Sequence, residues 1–160
     1  MLRLLALLCL LPAAATAQTA GPARVLDGDT VEIAGRTIGL YGIDAPELEQ
    51  SCQNRRGRRA YPCGEHAIRH LRLLIGEREV ACDAPLGERR GRPVAVCRMG
   101  AHELAQQLVL EGWALADPDD GADYRRAEQA ARGLKHGLWK GRFVTPWAWR
   151  DGERLPPPEQ

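Results

Sequence analysis

Two short acidic stretches, Asp27-Gly28-Asp29-Thr30 and Asp44-Ala45-Pro46-Glu47, carry the residue types most able to do chemistry in this chain. Aspartates joined by backbone carbonyls suit a hard divalent cation, Ca²⁺ or Mg²⁺, and carboxylates without His or thiolate argue against zinc. The plainer reading is that both stretches are turns, since Asp, Gly and Pro are turn formers. Thr30 to Ile33 alternates in polarity, Ala34-Gly35 is a tight-turn signal, and Arg36 to Ile43 alternates again. The two stretches therefore lie toward the same end of one hairpin. A flat hairpin pairs residue 29 with residue 40 and leaves Asp44 roughly 13 Å further on. The carboxylates meet only if the sheet coils strongly, as in a small barrel, and Gly42 could permit the bend.

The elements that must do this positioning are legible from pattern. Arg24 to Leu26 is a short strand candidate. In the Arg36–Ile43 segment, Ile38 and Leu40 face the core, while Thr37, Gly39 and Tyr41 face the other way. Glu65 to Ile75 reads as a helix with Ala67, Ile68, Leu71, Leu74 and Ile75 on one stripe and Gly76 as its stop. Arg78–Cys82 and Pro93–Arg98 read as strands joined by a charged loop. A second helix is expected from about His102 to Glu111. A third runs from an Asp123 N-cap to about Lys135, with Tyr124, Ala127, Ala131 and Leu134 inward. Trp139 to Arg150 reads as aromatic and extended. Five short strands with a helix after the third make an α+β domain compatible with a small closed barrel.

The bulk numbers place this domain. Residues 1–17 have a positive start, an apolar run and a small-residue cleavage site, the pattern of a cleaved signal peptide and too short to span a bilayer. Residues 18–150 then form one domain, and 151–160 a disordered polar tail. Lys and Arg total 22 against 21 Asp and Glu, so loss of Arg3 leaves a neutral chain. The charge is uneven: eleven Arg and five acids lie between Gln50 and Arg98, and six acids with no Lys or Arg between Glu103 and Asp123. A basic half can attract a polyanion locally, although solvated faces of opposite sign give the same count. Export also removes Cys9 and leaves Cys52, Cys63, Cys82 and Cys97, an even number that suggests two disulfides in an oxidising compartment. Of three possible pairings, the one nearest in sequence, Cys52–Cys63 with Cys82–Cys97, is preferred. No CxxC spacing supports zinc. His66 and His70, one helical turn apart, lack a third ligand nearby in sequence, and the four Trp read as packing residues.

Taken in order, LDGDTVEI, LYGIDAPE, GERRGRPVAVC, LVLEGWALA and YRRAEQAARGLKHGLW resemble a staphylococcal-nuclease-type (thermonuclease) domain over about residues 22–142. The four cysteines and PWAWR resemble an exported bacterial branch of that family. The resemblance implies a five-stranded OB-fold β-barrel with about three packed helices. It also implies a Ca²⁺-dependent phosphodiesterase acting on DNA and RNA. Carried over residue by residue, Asp29 and Asp44 match metal-binding carboxylates, and Ala45 a position supplying a backbone carbonyl. Glu47 matches the general base, and Arg92 one of two arginines on the scissile phosphate.

The second arginine is expected five residues before Asp44, where this chain has Gly39. Arg90 and Asp117 stand where tyrosines associated with nucleotide contacts are usual. Losing one electrostatic donor of this kind typically costs about 10²–10³ in rate. Arg90, beside Arg92, and Arg55, Arg56, Arg58 and Arg59, in the Arg-rich loop after Glu47, are the candidates to replace it at the substrate, with Arg55 and Arg56 preferred in that loop. Two functions follow. One is an exported, Ca²⁺-dependent nuclease, weakened by Gly39, acting on DNA or RNA as a monomer without stable membrane association after cleavage. The other is a catalytically inactive OB-fold module binding nucleic acid or another polyanion.

Overall fold

The computed structural model describes residues 18–158. The expected signal segment, residues 1–17, lies outside the described residues. In chain order the strands and helices are β1 (Thr19–Asp27), β2 (Thr30–Ile33), β3 (Arg36–Leu40), β4 (Ile43–Asp44), β5 (Ser51–Asn54), β6 (Ala60–Pro62), α1 (Cys63–Ile75), β7 (Glu79–Cys82), β8 (Gly87–Arg89) and β9 (Arg92–Ala95). They continue as β10 (Cys97–Met99), β11 (His102–Glu103), α2 (Leu104–Leu110), β12 (Leu115–Ala116), α3 (Arg125–Leu134), β13 (Gly141–Arg142) and α4 (Pro146–Arg150). Short 3₁₀ turns occupy Ala122–Tyr124 and Gly137–Lys140. Among the described residues no helix is long and apolar enough to cross a membrane.

The main sheet runs β11-β10-β7-β1-β2-β3-β9-β8. Its pairing returns on itself. Strands β9 and β10 are separated only by Val96, yet β9 pairs in parallel with β3 and β10 pairs antiparallel with β7. β1 is bent likewise: residues 19–22 pair with β7 and residues 23–27 with β2. A strand that serves two neighbours at successive segments closes a five-strand ring, β7, β1, β2, β3 and the bent β9–β10 strand. This is the OB-fold barrel, and its closure supplies the strong coiling the acidic stretches need.

Alternation sets which face is buried. Val31 and Ile33 of β2, Leu40 of β3, and Val80 of β7 are fully buried in one core with Leu71 and Ile75 of α1 and Leu104 and Leu108 of α2. The α1 stripe holds as expected at Ala67, Ile68, Leu71 and Ile75. A satellite cluster of Cys52, Cys63, Leu115 and Leu138 takes Trp113, Trp139 and Trp147 against it. The disulfides are Cys52–Cys63 and Cys82–Cys97, the nearest-neighbour pairing. The second ties β7 to β10 at the ring's closing edge.

Several boundaries differ from expectation. The Arg36–Ile43 strand breaks after Leu40, because Gly42 takes a left-handed φ of 71° and starts the separate strand β4. Asp123 caps nothing: it sits in the 3₁₀ turn, and α3 starts at Arg125 without a side-chain cap. Leu134, expected inward, is 65% exposed at the end of α3. The segment Trp139–Arg150 is not extended throughout. Thr145 accepts a hydrogen bond from the Ala148 N–H, Pro146 takes the first helical turn, and Pro146–Arg150 forms α4. The polar tail lacks regular structure from Glu153 to Pro158, and Gln53 Nε2 donates to the Pro156 carbonyl at 2.5 Å.

Candidate active site

Four backbone devices bring the acids together. Thr30 pairs with Gly39, and the Leu40 N–H donates to the Asp29 carbonyl at 2.8 Å, which fixes Asp29 at the open end of the hairpin. At Gly42 the chain turns back over the ring. A Cβ there would stand 2.5 Å from Tyr124 Cε2, so both the backbone angle and the space exclude a side chain. The turn before Asp29 is equally tight, since a Cβ on Gly28 would lie 2.8 Å from the Ala45 Cβ. Finally, Glu47 is held through its backbone. Its N–H donates to Gln50 Oε1 at 3.3 Å, and fully buried Gln50 donates Nε2 to the Val144 carbonyl at 2.7 Å.

The result is a compact anionic centre. Asp29 and Asp44 are only 3% and 1% exposed. Asp29 Oδ2 accepts the Ala45 N–H at 3.3 Å, and its Oδ1 accepts the Thr30 hydroxyl at 2.9 Å. The Arg90 guanidinium spans all three acids, with Nη2 at 3.5 Å from both Asp29 Oδ2 and Asp44 Oδ1 and Nη1 at 2.9 Å from Glu47 Oε1. The acids therefore surround one point, instead of being spread along a flat hairpin. Arg92 approaches from the neighbouring strand β9 and donates Nη1 to the Thr30 hydroxyl at 2.9 Å. That hydroxyl accepts from Arg92 and donates to Asp29, which uses its one hydrogen.

A residue that sequence reasoning missed completes the centre. Arg150, the last residue of α4, makes a bidentate pair with Asp44, Nη2 to Oδ2 at 2.5 Å and Nη1 to Oδ1 at 3.1 Å, and reaches Glu47 Oε1 at 2.6 Å. Nothing in the spacing from residue 44 to residue 150 announces this. The usable signal was Thr-Pro-Trp-Ala-Trp-Arg, a helix start followed by a basic last turn. Burial pushes the Asp44 carboxyl above its ordinary value and works against the charge on Arg150, but hydrogen bonds to Asp44 and Glu47 hold the guanidinium charged. The bidentate geometry keeps the pair ionic. Burial also pushes Asp27 up to about 6, while its Oδ1 accepts the Gly28 N–H as a turn residue would.

Other expected residues sit elsewhere. Arg55 and Arg56 are exposed at the turn joining β5 to β6 and make no contact with the three acids. Asp117 is a structural anchor. Its Oδ1 accepts the N–H groups of Asp119 and Asp120, and its Oδ2 pairs with Arg89 Nη1 at 2.5 Å. Arg89 in turn donates to the Ile43 carbonyl at 2.5 Å and to the Leu40 carbonyl at 3.3 Å, clamping the chain on both sides of Gly42. His66 and His70 lie against Trp113, and His70 also pairs with Glu111.

In donor type the centre fits a hard dication, because Asp29, Asp44 and the Ala45 carbonyl offer only oxygen. In position, the three acids lie around the guanidiniums, and among the described residues no three His, Cys, Asp or Glu are already gathered as a metal cage. Oxygen donors surrounded by guanidiniums can bind a cation, a phosphodiester or both.

Comparison with known proteins agrees with this geometry. Residues 37–141 match the family described as staphylococcal nuclease homologue. The chain is 35% identical over 152 residues to the succinoglycan biosynthesis protein ExoI of Rhizobium meliloti (strain 1021), covering 93% of this chain and 79% of that protein. It is 32% identical over 146 residues to protein ParB of Escherichia coli, covering 79% and 76%. It is 30% identical over 139 residues to the probable endonuclease LCL3 of Schizophyllum commune (strain H4-8 / FGSC 9210), covering 73% of this chain and 46% of that protein. With its OB-fold ring and more than half its length matched, the chain belongs to the staphylococcal nuclease homologue family.

Proposed function

We propose that this protein is an exported nuclease that hydrolyses phosphodiester bonds of DNA or RNA with Ca²⁺. The observation that carries this reading is the meeting of Asp29, Asp44 and Glu47 at the Arg90 guanidinium, with Arg92 beside Asp29 through Thr30. Asp29, Asp44 and the Ala45 carbonyl would hold Ca²⁺, which would neutralise charge on the phosphate oxygens. Glu47 takes the proton from the attacking water as that oxygen bonds to phosphorus. The ester oxygen leaves, takes a proton from solvent, and gives a phosphomonoester and an alcohol. Arg92 and Arg90 donate to the phosphate oxygens as negative charge grows there. The two disulfides suit an oxidising compartment, which supports export.

The experiment follows cleavage of plasmid DNA and of RNA by the purified protein, with Ca²⁺ and with chelator. Cleavage is expected only with the cation, and Glu47→Gln should lower it by about 10²–10⁴-fold without changing the melting temperature. Cleavage that ignores chelator, or that persists in the Gln variant, refutes the assignment. The bare backbone of Gly39 favours the second reading, a module that binds nucleic acid without cutting it. Salt-dependent binding with no cleavage under either condition would establish that reading.

A further inference from the structure

Arg150 occupies an unusual position. It lies nine residues beyond the matched segment 37–141 and about a hundred residues from the acids it touches. Yet it holds both Asp44 oxygens and one from Glu47. The placement is anchored twice, since the Gln50 side chain that orients the Glu47 backbone also binds the Val144 carbonyl, at the approach to α4. The register between α4 and the Glu47 loop is thus built into a fully buried side chain.

The charges in this centre balance. Three carboxylates face the guanidiniums of Arg90, Arg150 and, through Thr30, Arg92. A dication drawn to Asp44 must use the same oxygens that Arg150 now holds, so the two compete. A guanidinium displaced from Asp44 remains tethered by α4 within a side chain's reach. A phosphodiester brought to the same point supplies the planar acceptor pair that arginine prefers. Gly39 offers no competing side chain: a Cβ there would face Val94 Cγ1 at 3.1 Å and the Arg92 stem at 3.8 Å.

We infer that Arg150 is a substrate-binding residue. It is held in reserve on Asp44 and Glu47, gives up Asp44 to a divalent cation, and then donates to a non-bridging oxygen of the scissile phosphodiester. The inference rests on the nuclease reading above. It makes two predictions of opposite sign. Removing Arg150 takes a competing positive charge from the carboxylates, so Ca²⁺ should bind the protein alone more tightly, by roughly tenfold. Removing it also takes a donor from the phosphate, so kcat should fall by about 10²-fold even at saturating Ca²⁺ and DNA.

The test is Arg150→Ala, with Arg150→Met as a second variant that keeps the apolar stem. Ca²⁺ binding is measured by calorimetry and kcat on DNA at saturation, with thermal melts to establish folding. Arg154→Ala, on the same segment but stacked on Trp149, is the neutral control. Tighter Ca²⁺ with slower turnover in both variants supports the assignment. Weaker Ca²⁺ with slower turnover would mean that Arg150 only organises the acids, and unchanged turnover would mean that it does not touch substrate. Either result overturns the inference while an inactive Glu47→Gln keeps the nuclease reading. A wild-type protein that cleaves nothing, with Ca²⁺ present, overturns both.

Discussion

The Arg89–Asp117 pair gives a sharp test of how the backbone of the candidate site is held. The two side chains are 20% and 11% exposed, and Asp117 serves Arg89 and two backbone N–H groups at once. Asp117→Asn leaves a mostly buried guanidinium without its counter-charge. Breaking a fully buried pair from one side costs about 3–5 kcal/mol, so residual solvent access and the surviving amide reduce this to about 2–3 kcal/mol. At about 2.1 cal/mol/K of unfolding entropy per residue, a chain of ~140 ordered residues loses about 7–10 °C in Tm. The pH dependence has a fixed sign. Burial alone would raise the Asp117 carboxyl, but the Asp119 and Asp120 N–H groups and Arg89 hold it below its ordinary 3.8. Its contribution is therefore complete above the unfolded value and is lost as pH falls through the lower folded value. Thermal melts of wild type and variant from pH 7 to pH 2 should show the gap in Tm shrinking on the acid side. A gap under about 2 °C at pH 7, or one that persists undiminished at pH 2, would refute the clamp.

Three further outcomes follow from the packing. Gly64→Ala would drive a Cβ to within 1.8 Å of the Glu47 carbonyl oxygen, so α1 must shift away from the Glu47 loop; a loss of more than about 2 kcal/mol in denaturant and a lower cleavage rate are expected. Gly39→Arg has an ordinary backbone angle but must displace Val94 and crowd Arg92, so it should cost about 1–2 kcal/mol by melt. It should not speed cleavage by the wild-type protein, but should recover rate in the Arg150→Ala background. Replacing Cys82 and Cys97 by Ala removes the tie across the closing edge of the ring, and chemical denaturation should show about 2–4 kcal/mol of lost stability with the site acids still in place.

Much of this protein was legible from local pattern. The α1 stripe, the β2–β3 hairpin and its turn, and the cysteine pairing follow from side-chain periodicity, glycine placement and short loop closure, all of which act over a few residues. The errors fall where a few residues decide against the pattern. Tyr41 and Gly42 interrupt an otherwise continuous alternation, because the left-handed glycine carries the chain across the ring instead of along it. Leu134 has the spacing of an inward residue but is the last residue of α3, before the left-handed Lys135, and its side chain is exposed there.

The sequence by itself determined which side chains have the chemistry: oxygen donors at Asp29, Asp44 and Glu47, a guanidinium at Arg92, and none at Gly39. Only the tertiary structure decided where they meet and what they meet. Ring closure at Val96 and the turn at Gly42 turn a separation along the hairpin into contact around Arg90. A buried glutamine then fixes the C-terminal helix so that Arg150 arrives at the same carboxylates. Residue type is a property of one position, but convergence depends on how the whole barrel coils, and that is a sum of packing forces spread over the chain.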